Sequence, residues 1–151
     1  MRIGRTGLVV LTGIFVAGAA WAQEGATGVV KERMDAMSDI GDQMKIIGKM
    51  MKSGPYDTAT LATASGNIAG HAGPALLKLF PEGSIQETSD AKQEIWTDWP
   101  KFQALAGDLE ASAQALKDLA EDGAGKELTS AAFGTLAGTC KSCHETFRVK
   151  K

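Results

Sequence analysis

The chain closes on Thr139–Lys151, TCKSCHETFRVKK, and within it Cys140-Lys141-Ser142-Cys143-His144 forms a C-x-x-C-H run. This spacing is the sequence pattern of covalent c-type haem attachment. It constrains the fold more than any other feature. On a helix, positions three and four apart share a face, so Cys143 and His144 lie on the same side as Cys140. Two thioether bonds and one imidazole can then reach a single macrocycle, with His144 as the proximal iron ligand. A helix of this kind at the end of a chain needs its opposite wall from residues far upstream.

Competing readings of the same run ask for more than the sequence offers. A thioredoxin-like dithiol expects a βαβ context, and no segment alternates convincingly as a strand. A structural zinc site needs four ligands, yet the other histidine, His71, is remote in sequence and has no cysteine partners. Two cysteines this close on a helix are also poorly placed for a structural disulfide. The remaining alternative is a helical bundle without haem, in which the run is a coincidence.

Upstream, four segments carry helical periodicity. The first spans about Gly28–Ser53, where Val30, Met37, Met44 and Met51 recur every seven residues with Ile40 and Ile47 between them, an a/d seam. Gly54-Pro55 stops it. The second spans about Asp57–Phe80 with Asp57 as N-cap, and a kink is expected near Pro74. A polar loop, Gly83 to Ser89, follows. The third begins near Asp90, with Gln93 as capping-box partner. Pro100 either bends this helix or marks a late start, and Asp122-Gly123 closes it. Its apolar face is Trp96, Phe102, Leu105, Leu109, Ala113, Leu116 and Leu119. The fourth spans about Lys126–Val149, with Leu128, Ala132, Leu136, Cys140, Cys143 and Phe147 as its stripe. Short connections between amphipathic helices predict an all-α, antiparallel up-down-up-down four-helix bundle.

That topology selects the wall facing His144. In such a bundle the first and last helices run antiparallel, so the end of the fourth lies beside the start of the first. Five methionines sit on the first helix: Met34, Met37, Met44, Met50 and Met51. At about 1.5 Å of rise per residue, Met44 lies about 10 Å beyond Met37, which leaves Met34 and Met37 as candidates for the sixth iron ligand. Met37 is favoured because it shares the seam with Val30 and Met44. Methionine also fills irregular cores without ligating anything.

The N-terminus reads as a leader rather than as fold. Arg2 and Arg5 precede the apolar run Leu8–Val16, and Ala20-Trp21-Ala22 is a small-x-small cleavage site, the pattern of a secretory signal peptide. The run is too short and too broken for a comfortable span, and an uncleaved N-terminal anchor is the alternative. Cleavage after Ala22 removes residues 1–22 and leaves one domain at 23–151, exported to the periplasm. Removing Arg2 and Arg5 from the 16 Lys+Arg leaves 14 against 18 Asp+Glu, a net charge near −4. No basic patch is large enough to suggest nucleic acid.

Taken together, these residues resemble the class II c-type cytochromes, the cytochrome c-prime group, over nearly the whole mature length. The resemblance rests on CKSCHETFR with its Phe147-Arg148 pair, on GPYD at Gly54–Asp57, on KLFPEGS at Lys78–Ser84 and on EIW at Glu94–Trp96. It implies one covalently attached haem c and no enzymatic activity. It also implies two branches. One is five-coordinate, high-spin and binds nitric oxide or carbon monoxide. The other is low-spin, carries a methionine ligand early in the first helix, and is an electron carrier. Met37 falls at the distal position, so the low-spin Met/His-ligated electron carrier is the leading expectation and the gas-binding protein the alternative. By resemblance Arg33 contacts a haem propionate, against the alternative of a solvated surface arginine. Arg148 falls near His144 or a propionate, and Trp96 lines the haem or the core. The implied partners are periplasmic or membrane redox proteins, together with a second copy of the chain joined through the first two helices.

Overall fold

The computed structural model of the chain describes residues 25–150; the leader expected at residues 1–22 lies outside them. Six helices follow in order: α1 (Gly28–Lys52), α2 (Thr58–His71), α3 (Gly73–Leu77), α4 (Glu94–Thr97), α5 (Trp99–Glu121) and α6 (Lys126–Phe147). The long helices α1, α2, α5 and α6 form the expected bundle, and α3 and α4 are single turns in the connection between α2 and α5. Among the described residues no helix is long and apolar enough to cross a membrane.

Local chemistry sets most of the boundaries. Lys49 and Lys52 lie in the last turn of α1, where cations complement the helix dipole. The Asp57 side chain accepts from Thr60 N at 2.7 Å and caps α2. Pro100 enters the first turn of α5, where its missing N–H is an orphan in any case. It therefore marks a late start and does not bend the helix.

Two expected helices are shorter than their periodicity suggested. The second stops at His71, two residues before Gly73, which has φ +52°. A left-handed residue ends a regular helix there, so the chain breaks at Ala72 instead of kinking at Pro74, and Phe80 lies beyond α3. The third does not begin near Asp90. Residues 90–92 are drawn out along the end of α6, where Lys92 N donates to Phe147 O at 2.9 Å and Val149 N to Asp90 O at 2.8 Å. Gln93 caps nothing with its side chain. These long-range bonds satisfy the backbone groups that a first helical turn would otherwise use.

The core is built along α2 and α5. Leu61, Ala64 and Ile68 face Ala106, Ala113 and Leu116, all of them buried. On α1 the buried stripe is Val30, Ala36, Ile40, Ile47 and Met50, and Met37, Met44 and Met51 are only half-buried at its flank. The seam is thus rotated from the heptad reading. Leu128, expected in the α6 stripe, is 55% exposed, and its neighbour Thr129 is buried instead.

Both short connections lie at one end of the bundle. Tyr56 in the α1–α2 turn donates its hydroxyl to Ala124 O in the α5–α6 turn and lies 3.0 Å from Thr129 Oγ1. At this end α1 also meets α6, through Ser130 Oγ and Met51 Sδ at 3.2 Å and through Gly48 beside the Phe133 ring. Along the rest of their length α1 and α6 have few close approaches. The bundle is therefore wedge-shaped, closed at the Tyr56 end and open toward the other.

Candidate haem pocket

A cavity of about 940 Å³ fills the open end, with α1 on one side and α6 on the other. That volume falls in the range of small-molecule and cofactor pockets, roughly 300–1,000 Å³. From α6 it takes Cys140, Cys143 and His144, and from α1 it takes Arg33, Met34, Met37 and Met44. The C-x-x-C-H run therefore faces the early part of α1, as the antiparallel topology requires. Met44 also reaches the cavity, so helix rise alone does not remove it from the wall.

The α6 side presents its three groups from one helical face. Cys140 and Cys143 are free thiols, half-buried. Burial pushes both thiols up, and with the neighbouring Cys140 adding to the effect, Cys143 rises to about 11. Neither is a ready thiolate, which opposes a redox-active dithiol. Desolvation, and after it the charge of Arg148, holds His144 below its ordinary pKa. This favours the neutral imidazole, the form that ligates metal.

Arg33 is not the solvated surface arginine of the alternative reading. It is 4% exposed, and its Nε and Nη2 donate to Leu79 O at 3.0 and 2.8 Å. Nη2 also donates to Ser84 Oγ at 2.7 Å, and Nη1 reaches Ser89 Oγ at 3.4 Å. The guanidinium carbon lies 4.0 Å from the centroid of the Phe80 ring. Burial lowers its pKa. These partners are neutral, so a desolvated cation lines the cavity wall with donor capacity to spare. Sequence reasoning missed Ser84 and Ser89, which lie about fifty positions from Arg33 in a loop legible only as polar.

Trp96 does not line the cavity. Its indole N–H donates to Phe80 O at 3.1 Å behind the wall. Phe102 forms the inner end, with Phe80 and Phe147 edge-on at 4.8 and 5.4 Å between centroids. Arg148 does line the cavity, and Asp90 Oδ2 holds its Nη2 at 3.2 Å. Among the described residues no three His, Cys, Asp or Glu side chains gather into a separate metal site. Two thiols and an imidazole on one face, an apolar opposite wall and a buried cation together fit a flat, apolar, anionic macrocycle.

Comparison with known proteins gives this site a setting. The family described as Cytochrome C' matches residues 28–148. Cytochrome c-556 of Agrobacterium fabrum (strain C58 / ATCC 33970) is 33% identical, covering 100% of this chain and 99% of the relative. Cytochrome c' of Rhodopseudomonas palustris (strain ATCC BAA-98 / CGA009) is 32% identical over 95% of this chain and 97% of its own. The solved structure of a cytochrome c' from Rhodopseudomonas palustris superposes with a TM-score of 0.76 at 31% identity, covering 83% of this chain and 99% of that one.

The relatives correct one expectation. The assignment to the low-spin branch is overturned: the relatives support the cytochrome c' family, whose canonical members are five-coordinate, high-spin and ligated by histidine alone. A mutant of cytochrome c' from Alcaligenes xylosoxidans, solved as its nitric oxide complex, is 26% identical over 82% of this chain and 94% of its own, with a TM-score of 0.74. A thioether on the iron would take the axial position that a diatomic ligand needs. In the structure Met37 is one of three methionines on the α1 wall, half-buried against the core. The match runs through every long helix, and the chain belongs to the cytochrome c' family, haem-binding proteins typical of the periplasm that carry electrons or bind gases and are not enzymes.

Proposed function

We propose that the chain binds one haem c, through thioether bonds from Cys140 and Cys143 and with His144 as proximal iron ligand, and that it is a five-coordinate protein for nitric oxide or carbon monoxide. The observation that carries this reading is the meeting of those three groups on one cavity wall with an apolar α1 wall opposite. When bound, the haem would supply a one-electron iron couple and an iron able to take a diatomic ligand. The residues do the rest. Cys140 and Cys143 fix the macrocycle, and His144 holds the iron on the α6 side. Met34, Met37 and Met44 pack the far side and exclude water. Arg33 would turn its remaining Nη1 donor toward a propionate, a charge-assisted contact that would offset the cost of burying the guanidinium.

A pyridine haemochrome spectrum of the denatured protein tests covalent attachment. The ferric visible spectrum and carbon monoxide uptake by the ferrous form test the coordination. High-spin iron and ready uptake are expected; a low-spin spectrum with no uptake would overturn the gas-binding reading. Arg33→Leu should loosen the haem, seen as faster release from a Cys140→Ala/Cys143→Ala background than from that background alone.

The leader is proposed to direct export, with cleavage after Ala22, so intact mass of the protein recovered from cells should begin at Gln23. A homodimer is proposed, through α1 and α2; dimer formation is supported by a related cytochrome c' with an unusual ligand-controlled dimer dissociation, 25% identical with a TM-score of 0.74. Sedimentation with and without carbon monoxide tests it. The redox partners are proposed to be exported or membrane proteins.

A further inference from the structure

Arg148 is the first residue beyond α6. Its backbone N–H donates to His144 O at 3.1 Å, and it lines the same cavity as His144, whose pKa its charge helps to lower. A fixed cation thus stands one helical turn from the residue proposed to hold the iron. Its side chain is 53% exposed, so packing alone does not hold it there.

Asp90 does. Its Oδ2 lies 3.2 Å from Arg148 Nη2, and its backbone oxygen accepts from Val149 N at 2.8 Å. Lys92 N and Nζ, two residues on, donate to Phe147 O at 2.9 Å and Thr146 O at 3.1 Å. The carboxylate is therefore set against Arg148 by a backbone bridge, and the pair does not depend on two flexible side chains meeting by chance. Ser89 Oγ, which accepts from Arg33, also accepts from Ala91 N at 3.2 Å, so the same segment is anchored on α1. Arg33 lines the same cavity from α1, Lys141 and Glu145 pair on α6 at 3.8 Å, and Lys92 Nζ donates to Thr146 O.

We infer that Asp90 is a positioning residue for the iron site: it holds Arg148 beside His144 and offsets its charge, so that the Asp90–Arg148 pair sets the reduction potential. This rests on His144 being the iron ligand. Reduction lowers the charge of the iron centre by one, so a nearby cation favours the reduced form and a nearby anion the oxidised form. Both side chains reach solvent, so the effect must weaken as salt shortens the screening length from about 10 Å at 0.1 M to about 3 Å at 1 M.

The test is a redox titration of the holoprotein, followed in the visible spectrum at low and high salt. Asp90→Asn keeps the shape and removes the charge, and its potential should rise. For Arg148→Gln it should fall. The double variant should lie close to wild type, Asp90→Glu should stay near wild type, and the differences should shrink in high salt. Amide exchange at Val149 reports separately whether the bridge survives each substitution. Single variants that both shift in the same direction, or do not shift at all with the bridge intact, would overturn the inference. If wild-type protein lacks histidine-ligated haem c, the reading of His144 fails first, and the spectrum shows this before any titration.

Discussion

Ser65 is fully buried on α2, and its Oγ has no hydrogen-bond partner among the described residues. A hydroxyl stripped of water without compensation costs about 1–3 kcal/mol. Ser65→Ala should therefore raise the free energy of unfolding by about 1 kcal/mol, read from the denaturant midpoint. Arg33 presents the opposite case, a buried polar group with many partners. Its role was only half legible in the sequence, because those partners lie 46 to 56 positions away. The shared face of the C-x-x-C-H run was legible because its spacing is local to one helix. The role of Met37 is not legible, for a related reason. A seven-residue repeat places it on a seam, but the repeat cannot distinguish a sulfur that ligates from one that fills space.

Element by element, periodicity located the long helices well and their ends poorly. The ends depend on single backbone events. Gly73 adopts φ +52°, and a Cβ there would strike the Glu110 carboxylate. Gly73→Ala should cost about 1–2 kcal/mol from the left-handed backbone alone, measured by thermal or denaturant unfolding. At the other end of α2, hydrogen bonding to Thr60 holds the Asp57 carboxyl below its usual range. A carboxyl whose folded pKa is depressed stabilises above its unfolded pKa and loses that contribution as the pH falls through the folded value. Asp57→Ala should lower the denaturant midpoint at neutral pH, and the gap from wild type should narrow below about pH 4, near the unfolded carboxylate pKa. The strap at 90–92 had no sequence signal, since its bonds run to residues more than fifty positions later.

At the scale of the whole molecule, the bundle follows from four amphipathic stripes and short turns, and it was legible at that level. The wedge was not. It depends on how far α1 and α6 diverge away from the Ser130–Met51 and Gly48–Phe133 contacts, which join residues about eighty positions apart. Leu116 is fully buried in the α5 face, and Leu116→Ala should cost about 2–5 kcal/mol in chemical unfolding. The wedge also has a consequence for how the protein is made. The Tyr56 end is complete without any cofactor, whereas the Cys140 end has little to close on until one arrives. The haem-free chain should exchange its amides slowly around Thr129 and quickly from Cys140 to Val149, measured by hydrogen–deuterium exchange. Such a chain offers its two thiols while half of it is already assembled. On the proposed reading, the finished half would act as a jig, and the haem would be the last part fitted.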